Sequence, residues 1–585
     1  MPIPFAQTPR PRRTTWMTAA LLSATVLLPG AARAQGHLGA RDSLALRADS
    51  VFQRFDRTDS PGCALGVYEQ GRIRYARGYG MASLEHGIAL SPRSVLDVGS
   101  ISKQFTAMAI LLLEQDGRLS LDDPLRTHLP ELPPYTGGIT LRRALSQTSG
   151  LRDIYVLMDQ TGRAFEGDSI DALRLIGRQR APNYAPGERY LYTNSGWLLA
   201  AQVVYRLTGK SLGAFADERI FAPLGMRDTR YLSDATLVIP GLATGYAPRA
   251  GGGFRVARSA FDGSIMGAGG VHTTIEDFGR WLANYHGATV GGRRILEVMT
   301  TATALTSGAP AASGLTQAYA VGLNVGTLNG VRVVSHGGSW AGYRGHFLLF
   351  PDHGMAVATF CNLTTAGPDT LARKVAGIYL GDRMAPDTAL AWSAALAAAP
   401  KATMPVESLA PLAGVWRNAA RGEVRRTRLA GDTLFLVGAT RMRVEPLEGG
   451  RFRAGPGTEL RFDGGAPGGP ARVSIRTLGD TATYVRVDSA VATPAYLAAF
   501  VGTYHSDEVE SLHEWRLEKD TLVLYADHRR QGVLDPASRD LFTRGGTVYE
   551  IERDGRGRIT GYRIQAGRVR DLRFMRVAGS TTPPP

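Results

Sequence analysis

Ser100 and Lys103 stand three residues apart at the head of the strongest apolar helical stretch in the chain, Ser100 to Gln115. At 3.6 residues per turn, positions i and i+3 share a helix face, so the hydroxyl and the amine come within hydrogen-bonding reach. A serine is a poor nucleophile until a neighbour removes its proton, and a partly desolvated lysine with a lowered pKa can do so. A helix N-terminus adds free N–H groups and positive dipole character beside the reacting oxygen. Taken alone, such a pair is more often an N-cap serine with a surface lysine.

Two further groups bear on that choice. Tyr192-Thr-Asn194 follows Pro186-Gly187-Glu188 and leads into the apolar run Trp197 to Val204, so a tyrosine and an asparagine two apart can face one cleft. His336-Gly337-Gly338 stands at the end of the strand-like run Val331 to Ser335, followed by Ser339, Trp340 and Gly342. Glycines beside a histidine at a strand edge let a substrate backbone approach and leave N–H groups exposed. Each residue also has a purely structural reading: Tyr192 as a packed aromatic, Asn194 as a turn former or helix cap, His336 as a satisfied strand histidine.

In the order Ser-x-x-Lys, Tyr-x-Asn, His-x-Gly the chain resembles the serine β-lactamase and penicillin-binding-protein superfamily. The likeness is to its class C branch, with D-Ala-D-Ala carboxypeptidases, D-aminopeptidases and related esterases. Leu145-Ser-Gln-Thr-Ser-Gly150-Leu151, Tyr184-Ala-Pro-Gly-Glu188, Pro223-Leu-Gly-Met226, Gly269-Gly270 with Thr273-Thr-Ile-Glu-Asp277, and Phe360-Cys-Asn362 are similar to segments of that branch. The resemblance covers residues 41–382. It implies an α+β fold, an α/β/α sandwich around a central antiparallel sheet, and an acyl-enzyme reaction with no cofactor or metal.

It also implies roles. Ser100 becomes the nucleophile and Lys103 its general base, while Tyr192 shares proton transfer and serves the leaving group. Asn194 holds the substrate amide and steadies Lys103. His336 orients Tyr192 and, with Gly338, binds substrate; the backbone N–H groups of Ser100 and Ser339 form the oxyanion hole. Class C β-lactamases carry Lys-Thr-Gly where this chain has His336-Gly-Gly, and a neutral histidine holds a substrate carboxylate less firmly than a permanent ammonium. The implied activity is therefore cleavage of a peptide, amide or ester of the D-amino-acid peptidase or carboxypeptidase kind, on a small or short-peptide substrate of cell-wall type. A class C-like β-lactamase or esterase is the alternative within the enzymes. A penicillin-binding sensor that acylates without turnover is the alternative outside them.

These residues need elements to position them. Leu44, Leu46, Val51, Phe52 and Phe55 give residues 41–57 a helical spacing. Cys63 to Tyr68 and Arg72 to Gly80 flank Glu69-Gln70-Gly71 as a hairpin, and late strands return at Val331 to Ser335, His346 to Phe350 and Met355 to Asn362. Strands from the two ends of this region build one antiparallel sheet with helices between them. An Ala- and Pro-rich stretch, 383–408, reads as a linker. Beyond it Gly414-Val-Trp416 matches Gly502-Thr-Tyr504, and Arg428-Leu429 with Asp432-Thr-Leu434 matches Arg516-Leu517 with Asp520-Thr-Leu522, all at a spacing of 88 residues. Residues 409–490 and 497–577 thus form two related antiparallel β modules of lipocalin-like type, followed by a disordered tail at 578–585.

The 585 residues carry a net charge of +15 with only five lysines, so nearly all of the excess is arginine interspersed with acids. Such scattering does not make a nucleic-acid surface. Arg10, Arg12 and Arg13, an apolar stretch from Trp16 to Leu28 and Ala32-Arg-Ala34 have the pattern of a cleavable signal peptide, residues 1–34, whose loss leaves +11. About 13 apolar residues are too few to span a bilayer, so no stable membrane anchor and a periplasmic or extracellular location are expected. In the fold that the resemblance implies, the first strand lies antiparallel beside the last. Cys63 and Cys361 then fall at facing ends, as a disulfide or as two buried thiols.

Overall fold

The computed structural model describes residues 37–578 apart from 40–41, 164–168, 235, 258–265, 315, 439–440, 456, 465–470, 478–479 and 490–491. The signal-peptide segment and all but the first residue of the expected tail lie outside the described residues.

Side chains alternate across the strand Cys63–Glu69, with Leu65 and Val67 entering one apolar cluster and Ala64 and Tyr68 the other. That strand therefore has helices on both sides. It belongs to an eight-stranded antiparallel sheet in the order His37–Gly39, Arg72–Tyr79, Cys63–Glu69, Met355–Cys361, Tyr343–Phe350, Val331–Trp340, Asn324–Leu328, Gln317–Tyr319. The expected joining of strands from both ends is what brings Cys63 opposite Cys361, and the two form a disulfide. The helices Ser43–Phe52 and Pro368–Leu380 cover one face. The other carries Ile275–Gly287, whose Phe278 meets Phe347 and Phe360 edge-on. Behind it lies Lys103–Gln115, which is buried at every position from Lys103 to Leu113.

Two segments differ from the expected boundaries. The strand expected to end at Ser335 runs on to Trp340, because Tyr343–Phe350 pairs with it from Val334↔Leu349 through Trp340↔Tyr343. His336 thus lies within a strand. The stretch read as a linker contains a helix, Thr388–Ala398, for which its alanines have the highest propensity of any residue. That helix lays Trp392 under Arg476 at 4.5 Å, and its Leu396 carbonyl accepts from Arg453.

Each repeat closes into an eight-stranded antiparallel barrel, the first over Gly414–Val487 and the second over Gly502–Arg576. The equivalent aromatics Trp416 and Tyr504 are both buried. The first barrel has its own apolar cluster, whereas the buried side chains of the second are contiguous with those of the domain built on the eight-stranded sheet. At that junction Arg152 pairs with Glu508 at 2.6 Å with both side chains less than a tenth exposed, and Gln179 donates to the Glu508 carbonyl at 2.8 Å. Among the described residues no helix is long and apolar enough to cross a membrane.

Candidate active site

A cavity of about 1240 Å³ opens between the sheet edge and the helical layer, and Ser100, Tyr192, Asn194, His336, Gly338 and Ser339 all line it. Sequence spacing brought these residues together on paper; three elements do so in the molecule.

Ser100 occupies a single 3-10 turn, Gly99–Ser102, that runs into the helix Lys103–Gln115. Gly99 needs its left-handed φ of 51°, and its N–H donates to Asp97 Oδ1 at 2.7 Å. Lys103 is fully buried, with Nζ 3.0 Å from Ser100 Oγ, 3.0 Å from Asn194 Oδ1 and 2.7 Å from the Ala268 carbonyl. Burial holds its pKa well below the lysine range and the Arg568 charge adds to this, while the Asp153 carboxylate opposes it. A neutral amine has two N–H groups and one lone pair. Asn194 Oδ1 and Ala268 O accept the two N–H groups, which leaves the lone pair for the Ser100 hydroxyl proton.

The Tyr192–Asn194 segment is held by Leu145–Leu151: Gln147 O accepts from Leu191 N at 2.9 Å and Gln147 Oε1 from Thr193 N at 2.7 Å. Lys103 Nζ lies 4.9 Å from the centre of the Tyr192 ring. Burial raises the Tyr192 pKa, against a hydrogen bond with Ser100 that lowers it, so the phenol keeps its proton at neutral pH. Asn194 begins the helix Ser195–Thr208. Its orientation is set by Asp153 Oδ2, which accepts from Asn194 N at 2.7 Å and from Asn194 Nδ2 at 2.9 Å. The asparagine oxygen is thereby turned to Lys103.

The strand Val331–Trp340 forms the opposite wall. A Cβ on Gly338 would overlap the Val98 carbonyl oxygen, and one on Gly99 would press on Ser339 N, so the two glycines let the strand lie against the nucleophile turn. His336 Nδ1 is 2.6 Å from the Gly337 carbonyl and must donate to it, leaving Nε2 to accept from Tyr319 Oη at 2.9 Å. Burial lowers its pKa to about 3, with Lys103 contributing, so the ring is neutral at pH 7. It meets Tyr192 as a ring neighbour at 6.2 Å, its hydrogen bonds going to Tyr319 and Gly337 instead.

Sequence reasoning missed four participants: Asp153, the Ala268 carbonyl, Tyr319 and Arg568. Asp153 had a signal, since an acid directly before the apolar run Ile154–Met158 is an N-cap pattern, and its Oδ1 does accept from Tyr155 N at 3.1 Å. Arg568 had none. It reaches the cavity from the turn between the last two strands of the second barrel, with its guanidinium carbon 4.8 Å from the centre of the Tyr192 ring. Among the described residues no cluster of His, Cys, Asp and Glu could hold a metal ion.

A serine hydroxyl, a buried amine of lowered pKa and a bare strand edge are the parts of a serine hydrolase of the β-lactamase-related kind. A family model described as Beta-lactamase matches residues 48–380, more than half of the chain, and the chain belongs to that family. Relatives extend the match beyond the catalytic domain. A D-aminopeptidase of Cereibacter sphaeroides is 27% identical over 546 residues, 88% of this chain and 96% of its own length. A D-aminopeptidase of Brucella melitensis biotype 2 is 25% identical over 543 residues, with the same two coverages, 88% and 96%. Among solved structures, the octameric penicillin-binding protein homologue from Pyrococcus abyssi has a TM-score of 0.54 at 19% identity, covering 84% of this chain and 99% of that one. The last likeness concerns the fold.

Proposed function

We propose that the chain hydrolyses a peptide or amide bond next to a D-amino acid through an acyl-enzyme on Ser100. The observation that carries this reading is the buried Lys103 amine 3.0 Å from Ser100 Oγ, with acceptors for both of its N–H groups. In acylation Ser100 Oγ attacks the substrate carbonyl carbon while its proton passes to Lys103 Nζ. The carbonyl oxygen becomes an oxyanion held by the N–H groups of Ser100 and Ser339. As the scissile C–N bond breaks, a proton travels from Lys103 through the Tyr192 phenol to the leaving amine. In deacylation a water molecule gives its proton back along the same route and its oxygen attacks the acyl carbon. Ser100 Oγ leaves and is reprotonated. Asn194 steadies Lys103 and offers its remaining oxygen lone pair to the substrate amide, and His336 and Gly338 form the wall against which the acyl part lies.

The D-amino-acid side of this reading draws on the D-aminopeptidase relatives, whose match covers 88% of this chain and so extends past the catalytic domain. The neutral His336 favours it over β-lactam hydrolysis. The signal-peptide pattern of residues 1–34 and the Cys63–Cys361 disulfide together support export to an oxidising compartment, the periplasm or the exterior.

Turnover of four substrate classes tests it: D-amino-acid amides, D-Ala-D-Ala peptides, short acyl esters and nitrocefin. The D-aminoacyl substrates should exceed nitrocefin and the L-isomers by about a hundredfold or more in kcat/KM. Faster nitrocefin turnover would make the chain a β-lactamase. Stoichiometric acylation without product release would make it a sensor.

A further inference from the structure

We propose that Arg568, carried into the cavity by the second barrel, receives a free carboxylate on the leaving-group half of the substrate, so that the preferred leaving group is itself an amino acid. The inference rests on the reading of Tyr192 as the proton donor to the leaving amine. The guanidinium carbon lies 4.8 Å from the centre of that ring, and both side chains line the cavity.

The charges lining the cavity single this residue out. Arg568 is its only arginine or lysine among the described residues, and it is 44% exposed. Burial pushes the Lys103 pKa well below the lysine range and that of His336 down to about 3, so the exposed guanidinium is the cation best placed to meet an anion in the cavity. Among the described residues the nearest carboxylate to the guanidinium is Asp153 Oδ2 at 3.9 Å, and that oxygen already accepts from Asn194 N and from Asn194 Nδ2. The planar fork of the arginine is thus left with donors facing the cavity, in the geometry that pairs with a carboxylate through two parallel hydrogen bonds. The other acids lining the cavity are engaged elsewhere: Glu85 accepts from the Tyr246 hydroxyl, Asp97 accepts from Gly99 N and lies 3.9 Å from His272 Nε2, and Asp369 pairs with Arg373 and His346.

The turn that bears Arg568 is fixed in place. Its carbonyl accepts from Asp153 N at 3.2 Å and from Asn183 Nδ2 at 2.9 Å, and Arg570 N donates to Asn183 Oδ1 at 2.8 Å. A receptor built on so many main-chain contacts costs little ordering when substrate binds. The second barrel is in this sense part of the active site.

The experiment compares kcat/KM for D-Ala-D-Ala and for its C-terminal carboxamide, in the full-length wild type, Arg568→Lys and Arg568→Gln, with fluorophosphonate labelling of Ser100 as a check on the site. Wild type should prefer the free acid about ten- to a hundredfold, the value of a charge-assisted hydrogen bond. Arg568→Gln should bring the ratio toward one, mainly through KM, and Arg568→Lys should keep part of it. A wild-type ratio of one overturns the proposal without any variant, and so does a ratio that Arg568→Gln leaves intact. Labelling of Ser100 with no preference for the acid removes Arg568 alone from the account. Absence of labelling in wild type removes the acyl-enzyme reading with it.

Discussion

A lysine acts as a base only once it has lost its proton, and at Lys103 the loss comes from burial, seconded by the Arg568 charge. In the unfolded chain the same amine titrates at its usual 10.5, so between the depressed folded value and 10.5 the unfolded state binds more protons. Stability therefore rises with pH across that window, and the buried lysine is a liability to the fold at pH 7. Lys103→Met, similar in volume and without charge, should raise the melting temperature at pH 7, with a gain that shrinks toward pH 10. It should lower kcat/KM by about a thousandfold, as expected for loss of a general base. Calorimetry at the two pH values checks the first statement; a melting temperature that falls at pH 7 would mean that the amine is protonated in the folded state. Wild-type activity should rise with pH through an acid limb well below the lysine range.

At the scale of elements, the site depends on a strand and a 3-10 turn lying closer than side chains allow. Gly338→Ala forces a methyl group into the Val98 carbonyl, and the strand has to move away from Ser100 and its oxyanion donors. Activity should fall about a hundredfold or more, as for loss of an oxyanion donor, while fluorescence-detected melting changes far less; equal losses in both would assign Gly338 a purely structural role. The disulfide between two interior strands of the same sheet closes a loop of 298 residues, and Cys63→Ser should cost about 2–5 kcal/mol in denaturant unfolding. The nucleophile helix and the Tyr192–Asn194 loop were legible in the sequence because their spacing is local. The continuation of the histidine strand to Trp340 was not, since glycines weaken a strand pattern and only the pairing with Tyr343–Phe350 restores it. Nor was the helix Thr388–Ala398, whose flanking prolines read as linker.

At the scale of the whole molecule, the second barrel is joined to the catalytic domain by a buried ion pair and by a shared apolar cluster. Glu508→Ala leaves Arg152 charged and unpaired in the interior, a change worth about 3–5 kcal/mol of stability, and it should loosen the turn that carries Arg568. His513 of the same barrel lies buried against Gln160 of the catalytic domain with its pKa lowered to about 3, as His336 is in the site. Both are neutral when folded and titrate at 6.5 when unfolded, so their contribution is complete above pH 6.5 and is lost as pH falls from there toward 3. Melting temperature should drop through that interval, and a flat profile would contradict the neutral assignment. The repeat made both barrels legible from sequence. What they do was not, because Arg568 and Asp153 meet only after the two ends of the chain have folded together.

The central claim is a covalent acyl group on Ser100. Protein quenched during turnover of a D-aminoacyl substrate and measured by intact mass spectrometry should gain the mass of one acyl group. Peptide mapping should place it on the segment holding Ser100, with nothing gained by Ser100→Ala. An adduct that persists in Ser100→Ala, or maps to another residue, would contradict the account.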